Sequence, residues 1–164
     1  MTRQKLEETS KLVFEKLDLQ ISNLHIEKES QDYCAAQFEL NNLKIIFREA
    51  KITPTKIGQF VTLWKRIEEN PIKPFATSDD FDLVIINTNT PTNTGQFIFP
   101  KSILEQKGYL QSRSKKGKLG FRVYPSWDTT LNKQAQQTQK WQLNYFLEIP
   151  LDLAKAKSLY SKSL

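Results

Sequence analysis

LNNLKIIFREAKITPTKIGQFVTLWKRI, residues 40–67, decides how the chain is read. Asn41-Asn42 separates two β-rich runs, DYCAAQFEL (32–40) and LKIIFREAK (43–51). Asn tolerates positive φ, so a two-residue spacer of this kind predicts a hairpin. The turn sets Leu40 opposite Leu43, and the register carried outward puts Glu49 opposite Cys34 and Lys51 opposite Asp32. Thr53-Pro54 then ends the strand. Thr is a good N-cap and Pro a good first helical residue, while Ile57, Phe60, Val61, Trp64 and Ile67 recur at helical spacing. The pattern predicts a helix over 54–69.

Working outward, Leu6, Thr9, Val13 and Leu17 form the apolar side of a first helix over 3–17. A strand falls within LDLQISNLHIEK (17–28), DLVIINT (82–88) reads as a central strand, and QFIFP forms another strand ending at Pro100. A short helix is expected over 101–107. QSRSKKGKLG (111–120) has the small, basic and glycine residues of a surface loop, and FRVYPSW is a short strand running into a turn. A long helix is expected from Asp128 or Thr129, burying Leu131, Ala135, Thr138, Trp141, Tyr145 and Phe146. The fold class is therefore α+β: a mixed β-sheet with flanking helices in the order α-β-β-β-α-β, plus a long C-terminal helix. Residues 1–150 make one domain, and 151–164 a weakly amphipathic tail with helical character.

Composition narrows the functional classes. The chain has 164 residues, 38% of them hydrophobic, with three Trp, five Tyr and ten Phe. That is enough apolar material for one packed core. No apolar run reaches the roughly 18 residues of a membrane span. The charged N-terminus MTRQKLEETSKLVFEK has no apolar signal segment, so the expected location is the cytoplasm. One Cys, Cys34, allows no internal disulfide and reads as a small buried hydrophobe. With His25 as the only histidine, Cys/His zinc sites and histidine-based triads would all depend on that one residue. Net charge is +6, and two segments carry the excess. Lys44, Arg48, Lys51, Lys56, Lys65 and Arg66 stand against Glu49 alone, and Lys101, Lys107, Arg113, Lys115, Lys116, Lys118 and Arg122 against Glu105 alone. Such segments suit a polyanion.

Glu49-Ala50-Lys51 raises the question of catalysis. In a strand, residues two apart share a face, and the hairpin register brings Asp32 to that face. Two carboxylates holding Mg²⁺ or Mn²⁺ beside a lysine could cleave a phosphodiester. The competing reading is a cross-strand Asp32–Lys51 ion pair with Glu49 solvated. Arranged this way, the trio resembles the PD-(D/E)xK superfamily of restriction-endonuclease-like proteins, with Glu49-Ala50-Lys51 as its ExK half and Asp32 in place of the first acid. Gln31-Asp32 lacks that superfamily's proline. Separately, a helix starting at Thr53-Pro54 would offer backbone N–H groups to a phosphate between Lys51 and Lys56.

FREAKITPTKIGQFVTLWKR, GQFIFPKSIL, GKLGFRVYPSWD and KQAQQTQKWQLNYF together resemble the MepB-like family of bacterial proteins over roughly residues 33–149. The resemblance implies a restriction-endonuclease-like fold, a cytoplasmic location and nucleic-acid binding. It also puts weight on Arg48, Ala50, Lys51, Thr53, Pro54 and Lys56 rather than Glu49. The expected function is therefore nucleic-acid binding, to DNA or RNA, with phosphates held by Arg48, Lys51, Thr53, Lys56, Lys101, Lys115, Lys116 and Arg122. The first alternative is a Mg²⁺- or Mn²⁺-dependent nuclease with Asp32 and Glu49 as metal ligands and Lys51 beside the attacking water. The second is a regulatory module whose basic face meets an acidic protein or small anion.

Other constellations carry bland readings beside the functional ones. Asp79, Asp80 and Asp82 suit a turn more than a metal loop. Gly117-Lys118-Leu119-Gly120 has the form of a KH backbone clamp but precedes a strand. Tyr124 and Trp127 could stack bases, and Gln134, Gln136, Gln137 and Gln139 could reach nucleic acid from a helix face. For both groups packing or solvation is the plainer account.

Overall fold

The computed structural model describes residues 1–161. Its helices are α1 (Thr2–Thr9), α2 (Lys101–Gln106), α3 (Lys133–Gln142) and α4 (Leu153–Ser161). Its strands are β1 (Ile21–Ile26), β2 (Ala36–Leu40), β3 (Leu43–Glu49), β4 (Lys51–Ile52), β5 (Gln59–Thr62), β6 (Trp64–Lys65), β7 (Lys73–Pro74), β8 (Leu83–Asn89), β9 (Thr94–Pro100), β10 (Gly120–Val123) and β11 (Phe146–Ile149). A six-stranded sheet runs β1-β2-β3-β8-β9-β11. Only the β3–β8 pair in it is parallel, so the sheet is mixed and the class is α+β.

The sequence explains both faces of this sheet. Alternation along β3 sends Leu43, Ile45 and Phe47 to one side, where they join Leu83, Ile85 and Ile98. Leu6, Val13 and Phe14 from the first helix and Ala156, Leu159 and Tyr160 from α4 cover that side. Ile46, Val84, Ile86, Phe97 and Phe99 point the other way and meet Ile103, Leu104, Val61, Phe121 and Val123. The result is three layers around two apolar cores. At about 1.5–3 kcal/mol for each fully buried Leu, Ile or Phe side chain, these layers supply the main drive for folding.

Several expectations hold. The Asn41-Asn42 hairpin has the expected register, from Leu40 opposite Leu43 to Ala36 opposite Phe47. The first helix is continuous over the predicted span: α1 passes into a π turn (Ser10–Phe14) and a 3₁₀ turn (Glu15–Leu17), and it stops where Asp18 takes φ 56°. Cys34 is buried, 3% exposed. Among the described residues no helix is long and apolar enough to cross a membrane. The tail carries α4, and residues 162–164 lie outside the described residues.

The helix expected over 54–69 does not form. In its place stands a three-stranded sheet, ordered β10-β5-β4, followed by the small β6–β7 hairpin. Burial here has period two: Gln59, Val61 and Leu63 are inside, while Ile57 and Ile67 are exposed. Gly58 sits at φ +85°, and a Cβ there would come 2.7 Å from the Tyr124 ring, so the chain turns where a helix would have to continue. Phe60, Val61, Thr62 and Trp64 are strand formers, and their packing against β10 outweighs a fortuitous helical spacing. The α-β-β-β-α-β order therefore lacks its second helix, and the crossover from β3 to its parallel partner β8 is made by β4, β5, β6 and β7.

The long C-terminal helix is also shorter than expected. α3 ends at Gln142, a 3₁₀ turn spans Leu143–Tyr145, and Phe146 opens β11 against β9. Trp141, Tyr145 and Phe146 share helical spacing, but they pack from three different elements onto the second core.

Candidate nucleic-acid interface

The small sheet has one face turned into the second core and one turned outward. Val61 of β5, together with its partner Phe121 of β10, fills the inner face. Residues directly opposite one another across antiparallel strands share a face. Phe60 pairs with Lys51 on one side and with Arg122 on the other. Lys51, Phe60 and Arg122 therefore form a row across the outer face.

Contacts within the row hold it in place. The Arg122 guanidinium carbon lies 5.9 Å from the centroid of the Phe60 ring. Its Nη2 donates to the Thr53 hydroxyl oxygen at 2.6 Å and its Nη1 to the Ile57 carbonyl at 3.3 Å. The Lys51 ammonium stands 5.3 Å from the centre of the Tyr33 ring, and Tyr33 meets Phe60 edge-on at 6.4 Å. Two half-buried rings thus stand side by side with a cation at either end. Gly120 makes room for them, because a Cβ there would lie 2.7 Å from the Phe60 ring.

The predicted phosphate contacts divide. Lys51, Thr53 and Arg122 meet on this face, and Lys56 is exposed in the turn between β4 and β5. That turn is not a helix N-terminus, so the helix-end phosphate site expected at Thr53-Pro54 is absent. Thr53 contributes by fixing Arg122. Lys115 and Lys116 are exposed in the loop leading into β10. Lys101 is used internally: it donates to the Asp79 carbonyl and lies 5.0 Å over the Phe81 ring. Arg48 is 2% exposed and out of reach of a nucleic-acid backbone.

Asp32, Glu49 and Lys51 do not stand on one strand face as the register implied. The β2–β3 ladder ends at Ala36–Phe47. Asp32 lies beyond it in a 3₁₀ turn (Gln31–Tyr33), with its side chain 84% exposed and 4.0 Å from Lys51. Glu49 is half-buried against α1, and its partner is Lys5 at 3.7 Å. Burial pushes the Glu49 carboxyl above the ordinary range, while Lys5 opposes this and Lys51 is the smallest of the charges acting on it. Each acid called as a metal ligand thus has its own lysine, and no group of three or more His, Cys, Asp or Glu among the described residues is placed to hold a metal. This donor set does not fit a ready Mg²⁺ or Mn²⁺ site.

Several residues of the remaining constellations make structural contacts. Asp79 accepts from the Ala76 backbone at 2.7 Å and pairs with Lys65, Asp80 pairs with Lys44, and Asp82 accepts from the Lys44 backbone at 2.8 Å. Gln139 donates to the Pro125 and Asp128 carbonyls and accepts from Thr130, tying down the loop before α3. Trp127 packs 5.5 Å from Phe146. Tyr33 and Phe60 are the residues that sequence reasoning missed. Alternating burial along β5 places Phe60 on the strand's outer face. The sequence carries no matching alternation, because polar Gln59 is buried and apolar Phe60 is half-buried.

A mixed six-stranded sheet with helices against it and a second, three-stranded sheet packed on one of its faces defines an α+β protein. The MepB-like family profile matches residues 27–148, and the chain belongs to that family. The crystal structure of MepB is similar at 42% identity and a TM-score of 0.77, covering 80% of this chain and 89% of that one. No curated protein matches.

Proposed function

We propose that this protein binds single-stranded nucleic acid, DNA or RNA, on the outer face of the β10-β5-β4 sheet. The observation that carries this reading is the Lys51–Phe60–Arg122 row with Tyr33 against it. Unpaired bases stack on aromatic side chains while nearby cations take the phosphates. Phe60 and Tyr33 supply the rings. Lys51 and Arg122 flank them and Lys56 extends the basic edge, while Lys115, which lies beside Gly108, and Lys116 add positive charge on the loop before β10. Arg122, held by Thr53 and the Ile57 carbonyl, is pre-positioned, so little order is lost on binding.

The restriction-endonuclease-like description of the core rests on α1, the β1–β3 meander and the parallel β8. The reading is of a binder on such a core, working in the cytoplasm, rather than of a PD-(D/E)xK nuclease. Fluorescence anisotropy with labelled oligo-dT and oligo-U at low salt tests it. A Kd that weakens steeply as salt is added is the expected result, because released counterions drive such binding. No binding of either oligomer at low salt would refute it.

A further inference from the structure

Arg48 is a buried cation to which no carboxylate is bound among the described residues. Its Nη1 donates to the Phe47 carbonyl at 2.9 Å, and its Nη2 reaches the Trp64 carbonyl at 3.5 Å. Its Nε has no hydrogen-bond partner among the described residues. Burial draws its pKa down to about 10, against a smaller opposing pull from Glu27. A desolvated guanidinium held only by main-chain carbonyls is costly to the fold, and apolar residues of similar volume commonly replace such groups without loss of stability. Its position gives the cost a purpose. Arg48 lines a cavity of about 510 Å³ between β1, β2, β3 and β6, within the size range of small-molecule sites.

The neighbouring charges leave Arg48 available. Asp79 is taken by Lys65, Asp80 by Lys44, and Glu29 by Arg66 at 2.8 Å. Glu27 accepts from the Gln37 amide at 3.1 Å and lies 3.7 Å from His25. The cavity also has an apolar side made by Trp64, Phe75 and Phe81, with the two phenyl rings 6.1 Å apart. We propose that this cavity binds a small organic anion, a carboxylate or phosphate monoester on a ring-sized apolar body, with Arg48 as its anchor and the three aromatics around the body. None of the lining residues belongs to the Lys51–Phe60–Arg122 row, so this site stands apart from the nucleic-acid reading.

Thermal unfolding with benzoate, phenyl phosphate and benzyl alcohol tests the proposal on the wild type and on Arg48→Met. At saturation at least one of the two anions should raise the wild-type Tm by on the order of 2–4 °C, and which one does so identifies the headgroup. Benzyl alcohol should leave Tm unchanged, and Arg48→Met should not respond to any of the three. Absence of a shift with both anions would overturn the proposal, as would an equal shift with benzyl alcohol or in Arg48→Met. If Arg48→Met does not fold, the Arg48 Nε–H resonance of the wild type decides. It should move on titration with the anions and not with benzyl alcohol, and a resonance that stays fixed overturns the assignment.

Discussion

Arg122 and Phe60 sit directly opposite one another across β10 and β5, with the guanidinium carbon 5.9 Å from the ring centroid. This pairing turns the strap between β3 and β8 from a connection into a surface. In the proposed binding mode, the cation beside this ring and the second ring against it would give a base a stacking partner and its phosphate a counter-charge.

Removing the ring should therefore weaken binding without unfolding the chain. Phe60→Ala is expected to cost roughly 1–3 kcal/mol of oligonucleotide affinity, as for one stacked base. Phe60→Tyr, which keeps an aromatic face, should restore most of it. Anisotropy titrations of the three proteins, with circular dichroism to show that each is folded, check this.

Removing the cations should act differently. Lys51→Ala and Arg122→Ala are expected to weaken binding to all sequences alike, and each should reduce the magnitude of the salt slope by roughly 0.7 for a single strand. Plots of log Kobs against log salt distinguish these losses from the loss of stacking. An unchanged slope in both variants would show that neither residue meets a phosphate.

Gly58 tests the strap itself. Were residues 54–69 a helix, Gly58→Ala would stabilise the protein by about 1 kcal/mol. In the turn found here, φ is +85° and the new Cβ would meet the Tyr124 ring at 2.7 Å. Gly58→Ala should therefore lower the midpoint of urea unfolding, and the sign of the change alone distinguishes the two structures.

Glu49 gives a pH dependence. Its carboxyl pKa is raised in the folded chain, chiefly by burial, so the folded state holds this proton more tightly than the unfolded state. The stabilisation is complete below the unfolded value and is lost as pH rises through the raised folded value. Compared with Glu49→Gln, the wild type should lose stability on going from about pH 4 towards neutrality. Unfolding midpoints of the two proteins across that range should diverge, with the wild type falling relative to the variant.

Where local and tertiary signals agree, the sequence is readable. Asn41-Asn42 marks a hairpin, and its register follows because one slipped residue would turn Ile45 and Phe47 out of their core. The apolar run at β8 is legible for the same reason, since it is buried on both faces. The strap was not legible. Ile57, Phe60, Val61, Trp64 and Ile67 satisfy a helical stripe, and it is pairing with β4 and with β10, the latter distant in sequence, that makes Gln59–Thr62 a strand. β11 was hidden similarly, because Trp141, Tyr145 and Phe146 continue the spacing of α3 across its end. This misreading affected the site. Lys51, Thr53, Lys56 and Arg122 are identifiable from the sequence as basic or polar candidates, yet the spacing points Lys51, Thr53 and Lys56 to a helix end and gives no link to Arg122. The helical stripe puts Phe60 on a buried side, whereas on β5 it stands on the outer face.

The most direct test of the central claim is an NMR titration of isotope-labelled protein with a short oligo-dT and a short oligo-U. The account predicts shifts concentrated at Tyr33, Lys51, Phe60 and Arg122, saturating with added oligomer and reversed by salt. Saturable shifts confined to other surfaces, or none at low salt, would contradict it.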